Sequence, residues 1–495
     1  MISTTPRHVR FFAPLAFTAL GAGIALIAAG PLNPPAGPVA PSNKTLAEIE
    51  PRIAVSATNT PGDADSLFKI TAPGSYYLTA NITGVAGKHG IEIASSGVTL
   101  DLNGFELLGA PGSLDGVTAS EPLLRSIRLI NGSVRGWGAS GVSLGDSGYE
   151  GIDLTNLRVS DCSGEYAIRV YRGSVTNCIA TMNSGTGISA SEGSRIISCS
   201  SSKNGDRGIS TNWGVLISQC VAHDNSGIGI STIGDGTIVD CVASTNDGYG
   251  FDVGVRSTVS GCAATGNLGT GIRAGTACVL DRCTASNTRL GDPGSGSGFV
   301  AGGSAVISNC VAYLNAGTGI RLSFDGRVFN CTVNNNNGAG IEVGAGSEVA
   351  GCVVRFSSSL GIVADDDCTI SGCTVSENGL SGIRVDADCH VFDNTCNDNG
   401  LTGTSAAGIQ TTAANNRVEG NVCSNNQMGF EALTGSTGNL FIRNSASSNA
   451  VVNYSFVANN RYGVIVDITA ATAAVNGNTA TSTMTTTDPH ANFRY

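Results

Sequence analysis

Apolar residues recur along this chain at one fixed spacing. A glycine followed by a large apolar residue returns every 21 residues, and the series resumes after an insertion of six residues and again after a second insertion. The pairs are Gly187-Ile188, Gly208-Ile209, Gly229-Ile230, Gly250-Phe251, Gly271-Ile272, Gly298-Phe299, Gly319-Ile320, Gly340-Ile341, Gly361-Ile362, Gly382-Ile383, Gly408-Ile409 and Gly429-Phe430. Apolar and polar residues alternate over only two or three inward positions after each pair, which indicates short β-strands. Each 21-residue unit is therefore predicted to form one coil.

Two further columns keep the same register and divide each coil into three short strands. The first column is aliphatic, at Ile196, Ile217, Ile238, Val259, Leu280, Ile307, Val328, Val349 and Ile370. The second consists of cysteines, at Cys178, Cys199, Cys220, Cys241, Cys262, Cys283, Cys310, Cys331, Cys352 and Cys373. Equivalent residues that recur at a constant interval bury a continuous core only if the coils stack, so the strands are predicted to lie in parallel.

Asparagine forms a fourth column, five residues after each cysteine and just before the next glycine turn. Its members are Asn183, Asn204, Asn225, Asn246, Asn267, Asn315, Asn336 and Asn378. Asparagine tolerates the left-handed backbone conformation of a tight turn, and stacked amides can hydrogen-bond from coil to coil. The column predicts an asparagine ladder.

The Asn-x-Gly-x-Gly-Ile turns and the inward Cys and Ile stacks resemble the right-handed parallel β-helix repeat proteins of the pectin-lyase-like superfold, over about residues 90–466. Residues 73–78 and 97–104 also resemble the opening coils of exported bacterial proteins of this type. The expected fold is all-β, a single-stranded right-handed parallel β-helix solenoid with about 16 coils of three short strands. Residues 45–89 and 467–495 are expected to cap its two ends, because an open coil would expose unpaired backbone.

The first 30 residues have the character of a secretory signal peptide. Arg7, His8 and Arg10 precede an apolar run at 11–29, and small residues follow at 28–30. A run of this length is also near the lower limit for a membrane-spanning helix, so an uncleaved N-terminal anchor is the alternative. Residues 31–44 are rich in proline and predict an extended spacer. The expected location is secreted, periplasmic or at the cell surface.

Composition and charge limit the kinds of partner that the protein is expected to bind. The 68 glycines and 13% charged residues suit many tight turns around a thin aliphatic core. The net charge of -11 opposes nucleic-acid binding, which needs clustered Lys and Arg to contact phosphates. The chain is expected to be a monomer, to avoid nucleic acid, and to meet a membrane only through an uncleaved N-terminal segment.

Sixteen cysteines in an exported protein would ordinarily suggest disulfides. Thiols stacked in register have equivalent neighbours above and below, which gives none of them a unique partner with the right geometry. Free, buried thiols that act as small hydrophobic groups are therefore predicted. One disulfide remains an alternative among the cysteines outside the main column, which are Cys162, Cys278, Cys368, Cys389, Cys396 and Cys423.

Carboxylates concentrate in one turn of two adjacent coils, here called the acidic turn. Its members are Asp365, Asp366, Asp367, Asp386 and Asp388. The 21-residue register places Asp365 beside Asp386 and Asp367 beside Asp388, and closely spaced carboxylates of this kind suit Ca²⁺. The acidic turn is a candidate calcium site, and an ordinary solvated turn is the alternative.

The outward position after each Gly-Ile pair forms a second candidate site, here called the outward row. It consists of Asp252, Arg273, Val300, Arg321, Glu342, Val363, Arg384, Gln410 and Glu431. Pectin-lyase-like enzymes often carry catalytic groups on an exposed strand face, so the resemblance implies substrate-binding roles for Arg273, Arg321, Glu342 and Arg384. Arg321 and Arg384 are weak candidates for a catalytic base or a substrate clamp. The alternative is a charged face that keeps the sheet soluble.

No complete catalytic set accompanies these residues. The sequence therefore favours a non-catalytic exported β-helix protein with a structural or glycan-binding role at the cell surface. A carbohydrate-active lyase or hydrolase acting on an acidic polysaccharide is the alternative, and the sequence does not decide whether the protein is an enzyme. No cofactor other than Ca²⁺ is indicated.

Overall fold

A computed structural model describes residues 50–145, 148–291, 296–402, 405–467 and 487–495. The chain divides into residues 1–51 and residues 52–495. The predicted signal peptide and spacer, and residues 468–486 of the predicted C-terminal cap, lie outside the described residues. Within the described ranges, no helix has the length and hydropathy that crossing a bilayer requires.

The described residues from 52 onward form a parallel β-solenoid of about 19 turns with a 21-residue period, and they contain no helix. The right-handed parallel β-helix and the three strands per coil are confirmed. The number of turns is slightly higher than the expected 16, because the coils begin at Ile53 and not near residue 90. Part of the segment expected to cap the N-terminal end is thus itself coiled.

The strands stack into three faces, numbered in chain order within a coil. Face 1 consists of Ser66–Ile70, His89–Ile93, Val117–Ala119, Val142–Leu144, Tyr166–Val170, Thr186–Ala190, Ile209–Trp213, Ile230–Gly234, Phe251–Val255, Ile272–Ala274, Phe299–Ala301, Ile320–Leu322, Ile341–Val343, Ile362–Ala364, Ile383–Val385, Ala407–Thr411, Met428–Ala432 and Val452–Phe456. Face 2 consists of Ile53–Ala54, Gly74–Tyr77, Val98–Asp101, Gly173–Thr176, Arg195–Ile197, Leu216–Ser218, Thr237–Val239, Thr258–Ser260, Val279–Asp281, Val306–Ser308, Arg327–Phe329, Glu348–Ala350, Thr369–Ser371, His390–Phe392, Arg417–Glu419, Leu440–Ile442 and Arg461–Tyr462.

Face 3 consists of Ile82–Thr83, Glu106–Leu108, Ile179–Thr181, Ser200–Ser202, Val221–His223, Val242–Ser244, Ala263–Thr265, Thr284–Ser286, Val311–Tyr313, Thr332–Asn334, Val353–Arg355, Thr374–Ser376, Thr395–Asn397, Val422–Ser424, Ser445–Ser447, Ile465–Asp467 and Asn492–Arg494. Two long strands, Arg125–Arg135 and Glu150–Ser160, run through both faces 2 and 3. Faces 2 and 3 therefore belong to one hydrogen-bonded sheet.

Residues that are 21 positions apart in the sequence are paired neighbours in the sheet. Ile209 pairs with Ile188 on one side and with Ile230 on the other, and all three side chains are fully buried. The first insertion does not disturb this register, since Ile272 pairs directly with Phe299. The insertion leaves the coil at a turn, so the inward columns continue as a single core.

The coils between Gly173 and Ser447 bend after face 2 and after face 3 at a residue with positive φ, such as Ser198 at 54° and Lys203 at 53°. The corner residue after each bend belongs to the Cys or the Asn column. The predicted asparagine ladder is confirmed at the second corner, where Nδ2 of Asn204 donates to Oδ1 of Asn225 at 2.9 Å. The same Oδ1 accepts the backbone N–H of Asn204 at 3.1 Å. One amide thus satisfies two donors of the preceding coil.

The ladder is interrupted and extended in ways that the sequence analysis missed. Thr288 and Ser357 replace asparagine in two coils, and their N–H groups still donate to the next asparagine. Two further ladders lie at other corners, Asn394-Asn421-Asn444-Asn492 and Asn416-Asn439-Asn460. They continue columns that hold cysteine in the preceding coils.

All sixteen cysteines are free and buried, as predicted. The cysteines also form hydrogen bonds between coils. The backbone N–H of Cys199 donates to Sγ of Cys220 at 3.5 Å, and Sγ of Cys199 donates to the carbonyl of Val175 at 3.3 Å. A corner thiol therefore makes the same kinds of contact as a corner amide. The cysteines outside the main column also stack, for example Cys368 on Cys389 and Cys396 on Cys423.

The last strand of the chain is inserted into the C-terminal end of the solenoid. Asn492–Arg494 lies parallel to and between Ser445–Ser447 and Ile465–Asp467. Its first residue, Asn492, is fully buried and accepts the backbone N–H of Asn444 at 2.9 Å. The final residues thus complete an asparagine ladder, which covers donors that the last coil would otherwise expose.

Replacing Asn225 with alanine tests the energetic role of the ladder. The substitution removes the acceptor for Asn204 and the donors to Ser201 and Asn246 inside a buried corner. We expect a loss of about 2–4 kcal/mol in the free energy of unfolding, measured by urea denaturation. Asp247→Ala, an exposed change in the following turn, should cost under about 0.5 kcal/mol. Equal effects of the two substitutions would contradict a structural role for the ladder.

Thiol titration tests the state of the cysteines. Burial raises the pKa of the Cys162 thiol to about 11, so its reactive thiolate is scarce near neutral pH. We expect almost no thiol to react with a soluble disulfide reagent in the folded protein. All sixteen should react after unfolding without reductant. Reaction of fewer than half of them after unfolding would refute the stack of free thiols.

Candidate functional site

Two arginines of the outward row are held by carboxylates of adjacent coils on face 1. Arg273 donates from Nε and Nη2 to both oxygens of Asp252 at 2.7 and 2.8 Å, and its guanidinium lies 4.5 Å from the centre of the Tyr249 ring. Arg321 donates to Oε1 of Glu342 at 2.9 Å. Exposed pairs of this kind contribute at most about 1 kcal/mol. These arginines are therefore already partnered within the sheet.

Arg384 differs from the other arginines of the row. Its neighbours in the sheet are Val363 and Gln410, neither of which is charged. Gln410 in turn donates to Glu431 at 2.7 Å. Within the part of the chain that the structure describes, no carboxylate lies within ion-pair distance of Arg384. Arg384 as a whole is half-buried, at the outward position between the buried residues Ile383 and Val385.

The acidic turn lies at the edge where face 1 leads into face 2. Asp365 and Asp386 occupy equivalent positions in adjacent coils, because Ala364 pairs with Val385. Burial, together with the negative charges of Asp386 and Asp366, raises the pKa of Asp365. Thr412 donates its hydroxyl to Asp386. The sequence prediction that these carboxylates are neighbours across coils therefore agrees with the geometry.

Other members of the acidic turn have structural roles. Asp367 and Asp388 adopt positive φ values of 58° and 56°, which short polar side chains tolerate. Asp366 accepts the backbone N–H of Ala387 at 2.8 Å. These contacts tie the turn of one coil to that of the next and account for part of the aspartate content without any metal.

Among the described residues, one group of three acidic side chains has ligand atoms close enough to hold a metal, and it lies elsewhere, at Asp63, Asp65 and Glu92. Lys69 already lies between two of them, with Nζ 2.9 Å from Asp63 and 2.6 Å from Glu92. The lysine supplies the positive charge that a metal would bring. The acidic turn forms no such group, and calcium binding there stays a prediction.

Face 1 is bordered by different features at its two edges. The insertions enter where face 3 leads into face 1, just before Phe299 and Ala407, and the acidic turn lies at the opposite edge. Five face-1 strands separate the insertions, a distance of roughly 24 Å at one strand spacing per coil. Leu290 and Leu401, at the described ends of the insertions, are 62% and 65% exposed.

A shallow depression of about 360 Å³ also lies on face 1. Asp252 and Arg273 form one side of it, and Val300 and Ser323 lie on the next coils. Its lining includes an ion pair that holds Arg273 in place, so the depression presents a fixed guanidinium next to small residues.

A cluster on face 2, here called the Glu419 cluster, was missed by the sequence analysis. Oε1 of Glu419 accepts from Nε2 of His390 at 2.9 Å, and Oε2 accepts from Arg417 at 2.7 Å and Arg443 at 2.6 Å. The Glu419 side chain is only 9% exposed. The hydrogen bond from Arg417, opposed by burial and assisted by His390 and Arg443, lowers the pKa of Glu419 to about 2.

The second insertion hid this cluster from the sequence. Together with one extra residue between Thr411 and Arg417, it sets the pairs His390–Arg417 and Phe392–Glu419 27 residues apart, so they fall outside the 21-residue register. Arg443 comes from a bend, where its φ is 58°. Aligning the coils across the insertion would have found the first two pairs, but no pattern marks the direction of the Arg443 side chain.

The pH dependence of stability tests the Glu419 cluster. Because the folded pKa lies below the usual 4.5, the stabilisation is complete above pH 4.5 and is lost as the pH falls toward 2. Glu419→Gln should lower the free energy of unfolding by about 3 kcal/mol at pH 7, and by progressively less below pH 4.5. Urea denaturation at several pH values measures this.

Glu348→Gln is the matched control for that substitution. Glu348 forms an exposed pair with Arg327 on the same face, so its loss should cost under about 1 kcal/mol. A penalty for Glu419→Gln that is the same at pH 7 and near pH 2 would contradict the proposed charge state.

A match to a family model supports the fold. A family model described as "Right handed beta helix region" matches residues 124–260 and 237–367. No curated protein matches the sequence. The A-module of mannuronan C-5 epimerase AlgE6 of Azotobacter vinelandii is 16% identical, with 79% of this chain and 90% of that chain covered and a TM-score of 0.32.

Two further solved structures have the same degree of similarity. The periplasmic alginate epimerase AlgG is 13% identical, with 69% of this chain and 81% of that chain covered and a TM-score of 0.34. The tailspike receptor-binding domain of siphovirus 9NA is 10% identical, with 89% of this chain and 80% of that chain covered and a TM-score of 0.30. Together with the parallel coils and their 21-residue register, the family match identifies the chain as a right-handed parallel β-helix protein.

Proposed function

We propose that this protein is an exported, non-catalytic β-helix protein that binds an acidic polysaccharide along face 1. The observation that carries the proposal is Arg384, which no carboxylate neutralises within the described residues, in a row where Arg273 and Arg321 are paired. The proposal of export rests on the apolar run at residues 11–29.

Arg384 has the chemistry that recognition of a sugar carboxylate requires. A guanidinium presents five N–H donors in a planar fork that matches a carboxylate in a bidentate geometry. Val363 and Gln410 on either side are uncharged, so an incoming anion meets no repulsion from the two positions of the row that adjoin Arg384. The flat strand face leaves room for several sugar units along the coils.

The acidic turn would extend this contact through calcium. Asp386 follows Arg384 by two residues and comes directly after the end of the strand Ile383–Val385. Asp365 and Asp386 repel one another, which contributes to the raised pKa of Asp365. A Ca²⁺ ion between them would relieve this repulsion and could take its remaining oxygen ligands from the polysaccharide.

A lyase or hydrolase that acts on an acidic polysaccharide is the second candidate. It is favoured by Asp365, which lies next to Asp386 of the coil that carries Arg384, since a carboxyl group with a raised pKa can serve as a general acid. Arg384 would then act as a substrate clamp. The two functions differ in one readout, which is the formation of product.

Binding of uronic-acid polysaccharides tests the proposal. We expect the protein to bind such glycans on an array, and Arg384→Ala to weaken binding by about tenfold or more through loss of a charged hydrogen bond. Arg327→Ala removes an arginine of face 2 that is paired with Glu348, and it should leave binding unchanged. Equal losses from the two substitutions, or no binding to any acidic glycan, would overturn the proposal.

Calcium dependence is a separate prediction. We expect chelation of Ca²⁺ to weaken glycan binding, and Asp386→Asn to make the remaining binding insensitive to chelation, because one of the two facing carboxylates is lost. Binding that does not respond to chelation in the unsubstituted protein would contradict a calcium role. Release of unsaturated or shortened sugars during incubation would favour the enzyme over the binding protein.

A further inference from the structure

The Glu419 cluster does not belong to the site proposed on face 1. It lies on the outer side of face 2, where the strands His390–Phe392, Arg417–Glu419 and Leu440–Ile442 stack in adjacent coils. We propose that it is a binding site for an oxyanion, such as a sulfate, phosphate or carboxylate group carried by a glycan or free in solution.

The charge balance of the cluster is the first argument. One carboxylate accepts hydrogen bonds from two guanidinium groups and one imidazole. At another exposed position of face 2, by contrast, Arg327 is matched by a single carboxylate, Glu348. The cluster therefore carries at least one excess positive charge, in a chain whose net charge is -11.

The unused donors are the second argument. Each arginine donates to Glu419 through Nη2, and each guanidinium has further N–H groups at Nε and Nη1. The Arg417 and Arg443 side chains are 47% and 53% exposed, whereas Glu419 is buried beneath them. The remaining donors are thus available to a ligand that arrives from solvent.

The rigidity of the site is the third argument. The buried carboxylate fixes both guanidinium groups in one orientation, so an oxyanion would not have to order two flexible side chains. His390 is held from two sides, by Glu419 and by the Phe392 ring, whose centre lies 4.5 Å away. One arginine would neutralise Glu419, so the second arginine leaves a positive charge that the carboxylate of the cluster does not balance.

The residues around the Glu419 cluster indicate where an extended ligand could lie. Arg461 is exposed two coils beyond Arg417 in the same column and adds positive charge. Two acidic residues flank the strand His390–Phe392, since Asp388 precedes His390 by two residues and Asp393 lies in the bend that follows the strand. The backbone N–H of Arg443 donates to the carbonyl of His490, so the C-terminal residues 487–495 border the site. An extended anionic chain could run along face 2 from Arg417 toward Arg461.

Histidine NMR of the full protein tests this proposal, because the chain has only five histidines. The probes are sodium sulfate, sodium phosphate and an oligogalacturonate, each titrated at constant ionic strength against sodium chloride. We expect saturable shifts of the His390 ring signals. Preference for the oligogalacturonate would indicate a glycan carboxylate, and preference for inorganic sulfate or phosphate would indicate a small free anion.

Three variants separate a specific site from general attraction to charge. Arg443→Ala should weaken the titration at least tenfold, whereas Arg443→Lys, which keeps the charge but not the planar fork, should weaken it less. Arg327→Ala on the same face is the matched control and should have no effect. Arg384→Ala should also leave this titration unchanged, which separates the result from that of face 1.

Two results would overturn the inference. One is the absence of saturable shifts at His390 with all three probes. The other is an equal response of Arg443→Ala, Arg327→Ala and the unsubstituted protein, since the shifts would then reflect ionic strength alone. Far-ultraviolet circular dichroism of Arg443→Ala must match that of the unsubstituted protein, and Arg443→Lys supplies the second measurement if it does not.

Discussion

The structure depends on the satisfaction of backbone donors at the corners of each coil. A bend with positive φ turns the chain out of one strand and into the next, so the N–H of the following residue cannot pair as it would within a flat strand. The side chain one coil further along accepts it, whether this is the amide of Asn225 or the thiol of Cys220. A buried donor without such a partner would cost about 1–3 kcal/mol, and corners of this kind recur along the described part of the solenoid. The stacking of the coils and the choice of residue at each corner therefore depend on the same hydrogen bonds.

This constraint explains why function is confined to few positions. Inward residues must be apolar and corner residues must be Asn, Cys or a similar group, which leaves the outward strand positions and the insertions free to vary. Arg384 and the Glu419 cluster both occupy such positions, on faces 1 and 2. In both places the sheet itself sets the spacing between neighbouring charges at about 4.8 Å across coils. Charges at that distance either pair, as Arg321 and Glu342 do, or remain available for a ligand.

The fold could be predicted because four columns repeat in one register, whereas the sites could not. The repeat identified the Ile209 column, the Asn225 ladder and the free thiols correctly. It missed the ladders that begin at Asn394 and Asn416, because amide and thiol are interchangeable at a corner and the columns change residue type. It also missed the Glu419 cluster, since an insertion changes the spacing of its coils and the direction of Arg443 depends on a bend. Contacts between outward side chains depend on their rotamers, and a repeat in the sequence does not specify rotamers.

Amide hydrogen exchange in the folded protein tests the corner constraint most directly. The N–H groups of Asn204, Asn225 and Asn246 each donate to the asparagine of the following coil. They should exchange as slowly as those of the central face-1 strand residues Ile209 and Ile230, which pair within the sheet. Exchange of the corner amides at the rate of exposed loop amides, while the strand amides remain protected, would contradict the account.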